Sequence, residues 1–417
     1  MDPLGTSRGV YKKLVEFAGE PAPSMRAWDG TTWGSPDAAS TIVLRHPGAL
    51  RSLLYPPNDL AAGEAYIYDD VDIEGDVVDA LGFAARLQPL AASPLRAVRI
   101  LRRLRKLPRL EQRDGTVRPA LRGRRHSRQR DREAVTYHYN TGNDFFAQFL
   151  DAAMVYSCAY FLDPAEPLAV AQRRKLDVVC RKLELMPGMR LLDVGCGWGA
   201  LIIHAAREYG VHATGITLSE RQAEVARARA DAAGVGDRVT VRQADYREVG
   251  GSFDAIASIG MFEHVGKKQL GVYFRHLAGL LEPGGLLLNH GITSRDRAGG
   301  RRKPSFVNTY VFPDGELVAV EDVIGRAEQA GFELRDLESL RASYGLTLRR
   351  WVANLESNRR AAIEASNDMT YRIWRLYMAG SAVAFESAAL AVHQMLLSKP
   401  ERAWHHGRRR LLASDDV

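Results

Sequence analysis

The 417-residue chain has few cysteines and no long apolar run. Its three cysteines, Cys158, Cys180 and Cys196, show no metal-ligand spacing. The sequence therefore predicts neither a disulfide framework nor a metal site, and a reducing cytoplasm is the simplest compartment. Because no stretch of about 18 consecutive apolar residues occurs, we expect no transmembrane helix. The first residues lack a basic start followed by an apolar stretch, so we also expect no secretory signal.

Charge is distributed unevenly along the chain. Residues 1–95 contain seven Lys/Arg against thirteen Asp/Glu, whereas residues 96–132 contain fifteen against three. Residues 97–107 are predicted to form a basic amphipathic helix, and basic segments of this kind bind anionic membrane surfaces. A solvated linker without a partner is the alternative. Nucleic acid is disfavoured because the basic segment has no aromatic residue that could stack on bases.

These shifts in composition predict three consecutive segments. A chain of this length is expected to form two domains. Residues 1–95 are interpreted as a small mixed α/β accessory domain, residues 96–132 as a basic linker, and residues 133–417 as a larger α/β domain.

One stretch of the larger domain combines an apolar strand with alternating glycines. Residues 190–194 are predicted as a buried strand, Gly195, Gly197 and Gly199 follow it, and a helical pattern begins at residue 200. Glycines let the backbone turn tightly and approach a ligand closely, and a helix N-terminus offers free N–H groups and partial positive charge. The stretch therefore predicts a nucleotide-binding corner.

Strands and helices alternate after this corner. Strands are predicted over residues 190–194, 213–218, 239–243, 253–259 and 286–289, and helices over 168–185, 220–233 and 267–281. This alternation predicts a doubly wound, mostly parallel sheet that binds ligands at the carboxyl ends of its strands. A strand is also expected over 332–337 and an amphipathic helix over 144–150. Further helices, which would form a cap, are expected over 348–360 and 369–397.

Seven ordered motifs resemble those of the cyclopropane fatty acid synthases, a family that includes the mycolic acid cyclopropane synthases. They are Tyr-His-Tyr-Asn at 137–140, Tyr-Ser-Cys-Ala-Tyr-Phe at 156–161, Asp-Val-Gly-Cys-Gly-Trp-Gly at 193–199, Gly-Ile-Thr-Leu-Ser at 215–219, Phe-Glu-His-Val at 262–265, His-Gly-Ile-Thr at 290–293 and Ser-Tyr-Gly-Leu-Thr-Leu at 343–348. The resemblance implies a class I S-adenosylmethionine (SAM) methyltransferase domain with lipid-binding insertions over residues 133–417. The chain is most similar to the actinobacterial branch that makes 10-methylene fatty acids from oleoyl chains.

The resemblance also implies a reaction on unsaturated phospholipid acyl chains. A cis double bond attacks the electrophilic methyl group of SAM, a carbocation forms, and bound bicarbonate takes a proton from the new methyl group. A hydride shift before that proton loss gives an exocyclic methylene group, the product that we favour, whereas direct ring closure gives a cyclopropane. A small-molecule O- or N-methyltransferase is a second alternative. A non-enzymatic lipid-binding protein is disfavoured because the glycines and the Glu263–His290 pair are intact.

Positions that match the family motifs give the expected site residues. The bicarbonate ligands map to Cys158, Glu263, His290, Tyr344 and the backbone of Ile292. The expected SAM-binding residues are Tyr156, Ser157, Asp193, Gly195, Gly197, Gly199, Thr217, Leu218, Gln222, Asp245 and Tyr246. The aromatic faces of Tyr139, Phe262 and Tyr344 are candidates for stabilising the carbocation and binding the acyl chain. No Cys-His-Asn arrangement is recognisable, so thiol catalysis by Cys158 is not expected.

The expected partners follow from this reaction. Phospholipid acyl chains at the inner face of the cell membrane would be the substrate of a cytoplasmic, peripherally bound enzyme. A 10-methylene product implies a separate flavin- or NADPH-dependent reductase that would give the saturated methyl branch. Association with a second copy of the chain is compatible with the sequence.

Overall fold

The computed structural model describes residues 2–109, 127–139, 141–295 and 305–400, without the side chains of residues 91, 92, 128, 134–136 and 139. The α-helices of these residues are α1 (Pro3–Ala18), α2 (Ala49–Leu54), α3 (Asp59–Ile67), α4 (Val77–Arg86), α5 (Pro94–Leu104), α6 (Arg128–Tyr139), α7 (Asn143–Phe146), α8 (Leu168–Lys182), α9 (Ala200–Tyr209), α10 (Glu220–Ala232), α11 (Phe262–Val265), α12 (Leu270–Leu280), α13 (Phe306–Tyr310), α14 (Val320–Gln329), α15 (Arg341–Ser357), α16 (Arg359–Ala365) and α17 (Asp368–Glu386). The strands are β1 (Ser24–Arg26), β2 (Thr32–Trp33), β3 (Ser40–Leu44), β4 (Val71–Gly75), β5 (Arg190–Val194), β6 (His212–Thr217), β7 (Val239–Gln243), β8 (Phe253–Ile259), β9 (Leu281–Ser294), β10 (Glu333–Ser339) and β11 (Leu390–Ser398).

The chain forms two compact units. The first contains residues 1–120, 301–313 and 351–384, and the second contains residues 121–300, 314–350 and 385–417. This division cuts across the segment 133–417 that the sequence suggested, and the boundaries predicted from the sequence remain predictions.

The first unit contains a small four-stranded sheet in the order β2-β1-β3-β4. Strands β1 and β3 run parallel, and the other pairs are antiparallel. Helix α5 lies in the predicted basic segment, and its Ile100 and Leu104 are buried in the same core as Val10 and Leu14 of α1. The predicted helix therefore exists, but one of its faces is packed into the first unit.

The second unit contains a seven-stranded sheet in the order β10-β11-β9-β8-β5-β6-β7. Strands β7, β6, β5, β8 and β9 are parallel neighbours, and β11 is antiparallel to both β9 and β10. Apolar clusters cover both faces of this sheet, as expected for parallel strands that are flanked by helices. The predicted class, an α/β fold with a doubly wound, mostly parallel sheet, is confirmed.

Two of the predicted helices are wrong in part. The helix predicted over 369–397 ends at Glu386, and the chain then turns at Ala388, whose φ is +58°, into strand β11. The apolar run 390–397 has no clear period, and pairing with strands on both sides decides its conformation. The helix predicted over 144–150 covers only Asn143–Phe146.

Three further findings bear on the cysteines, membranes and metals. All three cysteines are free and buried. Among the residues that the structure describes, none of the helices combines the length and the apolar character that a membrane span requires. The same residues contain no group of three or more His, Cys, Asp or Glu side chains arranged to hold a metal ion.

Candidate active site

A cleft opens at the carboxyl ends of β5 and β6, where the glycine loop leaves the sheet. Gly195 and Gly197 line it with φ values of +91° and +53°, conformations that favour glycine. A Cβ atom added to Gly197 would meet no atom within 4 Å, so this position faces open space. The loop therefore leaves room for a ligand against its backbone.

Gly199 does not line this cleft. It caps the N-terminus of α9, and a Cβ atom placed there would lie 3.0 Å from the Cβ of Ala226 on α10. The missing side chain of Gly199 lets two helices approach each other, and its contact with the cofactor stays a prediction.

The other cofactor residues expected from the sequence line the same cleft. They are Tyr156, Ser157, Asp193, Thr217, Leu218, Gln222, Asp245 and Tyr246. Several lining residues were not expected from the sequence, namely Asp131, Met154, Lys175, Trp198, Arg247, Met261 and His264. The structure thus brings one predicted set of side chains together and adds a second set to it.

A lysine and a carboxylic acid are buried in the cleft. Lys175 of α8 donates a hydrogen bond from Nζ to Ser157 Oγ over 2.8 Å. Burial lowers the pKa of Lys175 to about 8 and raises the pKa of Asp193 to about 7. Oδ1 of Asp193 has no partner among the described residues. A ligand with a charged amino-acid group fits these two side chains, because each of them would gain a partner.

A polar edge of the cleft is formed by residues after β6 and β7. Thr217 Oγ1 donates to Gln222 Oε1 over 2.7 Å, and Gln222 Nε2 has no partner among the described residues. Arg247 donates to both carboxylate oxygens of Asp245, over 2.7 and 2.6 Å, and its guanidinium lies 5.2 Å from the ring centroid of Tyr246. Asp245 is therefore already paired with a cation that was not identified from the sequence.

An aromatic cluster surrounds Tyr156. The Tyr156 ring stacks on His138 at 5.8 Å between centroids and meets Phe146 edge-on at 5.5 Å. Phe146 in turn packs against Trp198 of the glycine loop at 5.1 Å. These rings fix the loop that carries Tyr156 and Ser157 against the cleft.

A second polar cluster lies at the ends of β9, β10 and β11. Glu263 Oε1 accepts a hydrogen bond from the backbone N–H of Ile292 over 2.7 Å. Ile292 pairs with Val392 across β9 and β11, and the carbonyl of Val392 accepts from Leu340 N–H. This chain of contacts links Glu263 of α11 to the segment that precedes α15.

The same segment holds Cys158 and Tyr344. Cys158 Sγ lies 3.7 Å from the carbonyl oxygen of Leu340, and Tyr344 N–H donates to that carbonyl over 3.0 Å. His290 lies two residues before Ile292 on β9, so both side chains are on one face of the sheet. Backbone contacts and strand pairing thus link all five residues predicted to bind a small anion to these strand ends.

Burial determines the protonation of this second cluster. It raises the pKa of Glu263 to about 7 and lowers the pKa of His290 to about 3. Glu263 Oε2 and both ring nitrogens of His290 have no partner among the described residues. Burial also raises the pKa of the Cys158 thiol, which agrees with the expectation that Cys158 is not a nucleophile. The cluster contains a neutral imidazole and a carboxyl group that titrates near neutral pH.

The three aromatic candidates for carbocation stabilisation are placed differently. Phe262 is buried against Gly291 of β9, where an added Cβ would overlap its ring, and it does not line the cleft. Tyr344 is buried, and its ring lies 4.6 Å from that of Phe385. Tyr139 ends α6, and its side chain lies outside the described residues. Phe262 thus packs against β9 in this structure, and its contact with the acyl chain stays a prediction.

The pKa of Glu263 predicts how the stability of the free protein depends on pH. Because burial raises this pKa from the ordinary value of 4.5 to about 7, the folded state binds this proton more tightly than the unfolded state. The contribution to stability is complete below pH 4.5 and is lost as the pH rises through 7. The free energy of unfolding should therefore fall by about 3 kcal/mol as the pH rises across these two pKa values, and Glu263→Gln should abolish this fall. Denaturant unfolding of the full chain below and above both pKa values measures it. If the free energies of unfolding of the two proteins change with pH in the same way over that range, the raised pKa of Glu263 is contradicted.

Comparison with known proteins agrees with this geometry. The family described as mycolic acid cyclopropane synthetase matches residues 126–395. A probable fatty acid methyltransferase of Pseudomonas putida is 39% identical over 388 residues, 92% of this chain and 93% of that protein. The cyclopropane-fatty-acyl-phospholipid synthase of Escherichia coli K12 is 36% identical over 262 residues, 63% of this chain and 66% of that protein.

A solved structure shares the fold and a substantial part of the sequence. The mycolic acid cyclopropane synthase CmaA1, complexed with SAH and CTAB, superposes with a TM-score of 0.61 and 33% identity over 64% of this chain and 98% of that protein. The match supports a SAM site in the second unit. The chain belongs to the mycolic acid cyclopropane synthetase family and is a SAM-dependent methyltransferase that acts on fatty acids or lipids.

Proposed function

We propose that this enzyme transfers the methyl group of SAM to the cis double bond of oleoyl-type phospholipid acyl chains and forms a 10-methylene chain. The observation that carries the proposal is the buried cluster of Glu263, His290 and Ile292, in which Glu263 and His290 have unpartnered polar atoms and are neighbours of residues that line the cofactor cleft. Met261 and His264 line the cleft on either side of Glu263, and Ile259, which also lines it, pairs with His290. A proton acceptor held in this cluster would lie next to the site of methyl transfer.

The residues of the cluster fit bicarbonate as that acceptor. Bicarbonate carries one O–H donor and several acceptor oxygens, so it needs both kinds of partner. The neutral imidazole of His290 offers one N–H donor and one acceptor nitrogen, and the Glu263 carboxyl group offers either, depending on its protonation. Cys158, Tyr344 and Ile292 are linked to the same strand ends through the backbone of Leu340 and Val392.

When bound, SAM supplies an electrophilic methyl group and bicarbonate supplies a base. In the proposed reaction the π electrons of the alkene form the new carbon–carbon bond while the sulfur–methyl bond breaks, which leaves a cation on the adjacent carbon. A hydride shift moves the cation to the methylated carbon, and loss of a proton from the methyl group forms the exocyclic double bond. Glu263 and His290 hold the base in place and relay its proton.

The full-length match supports methyl transfer to a fatty acyl chain. The P. putida relative, which matches 92% of this chain, is named a fatty acid methyltransferase, whereas the E. coli cyclopropane synthase matches 63%. The E. coli name also supports a phospholipid substrate. Reduction of the methylene group to a methyl branch needs a hydride donor, and we propose that a separate flavin- or NADPH-dependent reductase provides it.

Product analysis separates the two outcomes. The enzyme is incubated with SAM and dioleoyl phospholipid vesicles, and the released acyl chains are examined by proton NMR. Signals of an exocyclic methylene group are expected. Signals of cyclopropane ring protons would overturn the methylene assignment, and methylation of soluble amines or alcohols without lipid would favour the small-molecule alternative.

Helix α5 supports binding of the enzyme to the inner face of the cell membrane. Its outward face begins with Leu95 and Val98, which are 78% and 43% exposed, and continues with the exposed Arg99 and Arg102. Apolar and cationic side chains on one helix face suit the surface of an anionic bilayer. Residues 110–126 of the predicted basic segment lie outside the described residues.

Charge removal at this helix is expected to weaken membrane binding. Replacing Arg102, Arg103, Arg105 and Lys106 with glutamine should reduce binding to phosphatidylglycerol vesicles, because each cation near an anionic surface contributes about 1 kcal/mol. The effect should be largest at low salt. Vesicle co-sedimentation over a range of salt concentrations measures it.

A matched control removes the same charge elsewhere on the surface. The four exposed cations Arg207, Arg221, Arg242 and Lys268 of the second unit are replaced in the same way. Vesicle binding close to that of the unmodified enzyme is expected for this control. Equal weakening by both sets would mean that overall charge, not α5, determines binding.

A further inference from the structure

Three neighbouring strands place three polar side chains in one row. Glu338 of β10 pairs with Gln394 of β11, and Gln394 pairs with His290 of β9. Directly opposed residues of antiparallel strands point to the same face of a sheet, with Cβ atoms about 4.5–5.5 Å apart. Gln394 and His290 are therefore direct cross-strand neighbours on the same face of the sheet.

The middle of this row is buried and lacks hydrogen-bond partners. Gln394 is 0% exposed and His290 is 2% exposed. Among the described residues, neither amide atom of Gln394 and neither ring nitrogen of His290 has a partner. Glu338, by contrast, accepts from Tyr160 Oη over 2.7 Å and from Lys182 Nζ. Since buried polar groups are almost always satisfied, these atoms call for a small polar partner, which a molecule held beside Gln394 and His290 would provide.

The position of Gln394 connects it with the cluster around Glu263. Val392, two residues before Gln394, pairs with Ile292, whose N–H binds Glu263. Residues two apart on a strand share a face, so the side chains of Gln394 and Val392 lie on the same face of the sheet as those of His290 and Ile292. A glutamine amide offers two donors and one acceptor, which complements the acceptor oxygens and the single hydroxyl of bicarbonate.

We propose that Gln394 is a further ligand of the bicarbonate ion and holds it together with His290. This inference rests on the proposed function, which places bicarbonate at the Glu263–His290 cluster. The motifs that carried the family resemblance do not include Gln394, and it lies in the apolar run that was predicted as a helix. Its assignment depends on the strand register together with the burial and the unpartnered amide atoms of Gln394.

Thermal unfolding in bicarbonate tests this assignment without any turnover. Melting temperatures of the full-length enzyme and of Gln394→Met are measured at fixed pH in sodium bicarbonate and in sodium chloride of equal ionic strength. Bicarbonate should raise the melting temperature of the unmodified enzyme, because a ligand that binds only the folded state stabilises it. Gln394→Met keeps the volume of the side chain but not its amide, and should show little or no shift.

The adjacent residue provides a matched control. Met395 is equally buried on the opposite face of β11, within the other apolar cluster. Met395→Leu should keep the full bicarbonate-dependent shift. In steady-state assays with carbonate-depleted buffer, Gln394→Met should raise the bicarbonate concentration for half-maximal rate about tenfold or more, the loss expected for one hydrogen bond to an ion, with the KM for SAM unchanged.

The outcomes separate the failure of this inference from the failure of the proposed function. Equal bicarbonate-dependent shifts in the unmodified enzyme and Gln394→Met would exclude Gln394 as a ligand and leave the bicarbonate site intact. The absence of a shift in the unmodified enzyme would overturn the bicarbonate site and this inference with it. If Gln394→Met does not fold, Gln394→Asn, which keeps the amide but shortens its reach, replaces it and should show a reduced shift. A full shift in Gln394→Asn would overturn the assignment.

Discussion

Glu263→Gln is expected to lower kcat by a factor of about 10²–10⁴, the usual contribution of a positioned acid or base, and to leave the dissociation constant for SAM nearly unchanged. Glutamine keeps an oxygen that can accept from Ile292 N–H, so the local fold should persist. It replaces the unpartnered Oε2 with an amide that cannot accept or release the proton. Steady-state assays with oleoyl phospholipid vesicles measure kcat, and titration calorimetry measures SAM binding.

The control for Glu263→Gln is Asp322→Asn. Asp322 forms an ion pair with Lys267 over 2.7 Å, and both side chains are partly exposed. Such surface pairs contribute little to stability, so activity should stay close to that of the unmodified enzyme. A Glu263→Gln enzyme with unchanged kcat would contradict the role of the buried cluster, whereas a large loss of SAM affinity would place Glu263 in the cofactor site instead.

Gly197→Ala is expected to weaken SAM binding about tenfold to a hundredfold, because an extra methyl group in a close contact costs about 1–3 kcal/mol. A Cβ at this position would enter open space of the cleft, so it would meet the cofactor and not the protein. The free energy of unfolding should fall by only about 1–2 kcal/mol, the cost of a Cβ atom in the left-handed backbone conformation. Calorimetric titration with SAM and denaturant unfolding measure the two effects separately.

Gly199→Ala is the matched counterpart of Gly197→Ala. It should lower the free energy of unfolding more, and the affinity for SAM less, than Gly197→Ala does. Its φ of +83° adds the same kind of backbone cost, and its Cβ would lie 3.0 Å from that of Ala226. Overpacking between α9 and α10 should therefore lower the free energy of unfolding by a further amount of about 1–3 kcal/mol. SAM affinity of the folded fraction should change less than in Gly197→Ala. Equal losses of SAM affinity in both variants would contradict the separate roles of the two glycines.

The strands of the second unit could be predicted from the sequence because their limits are marked locally. β5, β7 and β8 begin and end where the apolar runs meet turn residues, and the predicted limits match the structure. β11 could not be predicted in this way. Its run of apolar residues fits a buried helix as well as a buried strand, and only pairing with β9 and β10, which are distant in the chain, decides between them.

Lys175 lines the candidate site and was not predicted from the sequence, although the helical pattern of α8 contained a signal for it. Gln172 and Lys175 occupy the buried face of α8 together with Leu168, Ala171, Leu176 and Val179. A polar residue at a core position of an amphipathic helix is a sign of a buried contact, here with Ser157. Arg247 gave no comparable signal, because its pairing with Asp131 depends on how α6 packs in the second unit.

The measurement that tests the central claim most directly is transfer of a labelled methyl group to lipid. The enzyme is incubated with SAM that carries a trideuterated methyl group and with vesicles of dioleoyl or distearoyl phosphatidylglycerol, and the acyl chains are analysed by mass spectrometry. We expect label in the oleoyl chains only, with one deuterium lost from each transferred methyl group, and far less label with Glu263→Gln. Oleoyl chains that stay unlabelled while the enzyme is folded and binds SAM would contradict the proposed methyl transfer to lipid.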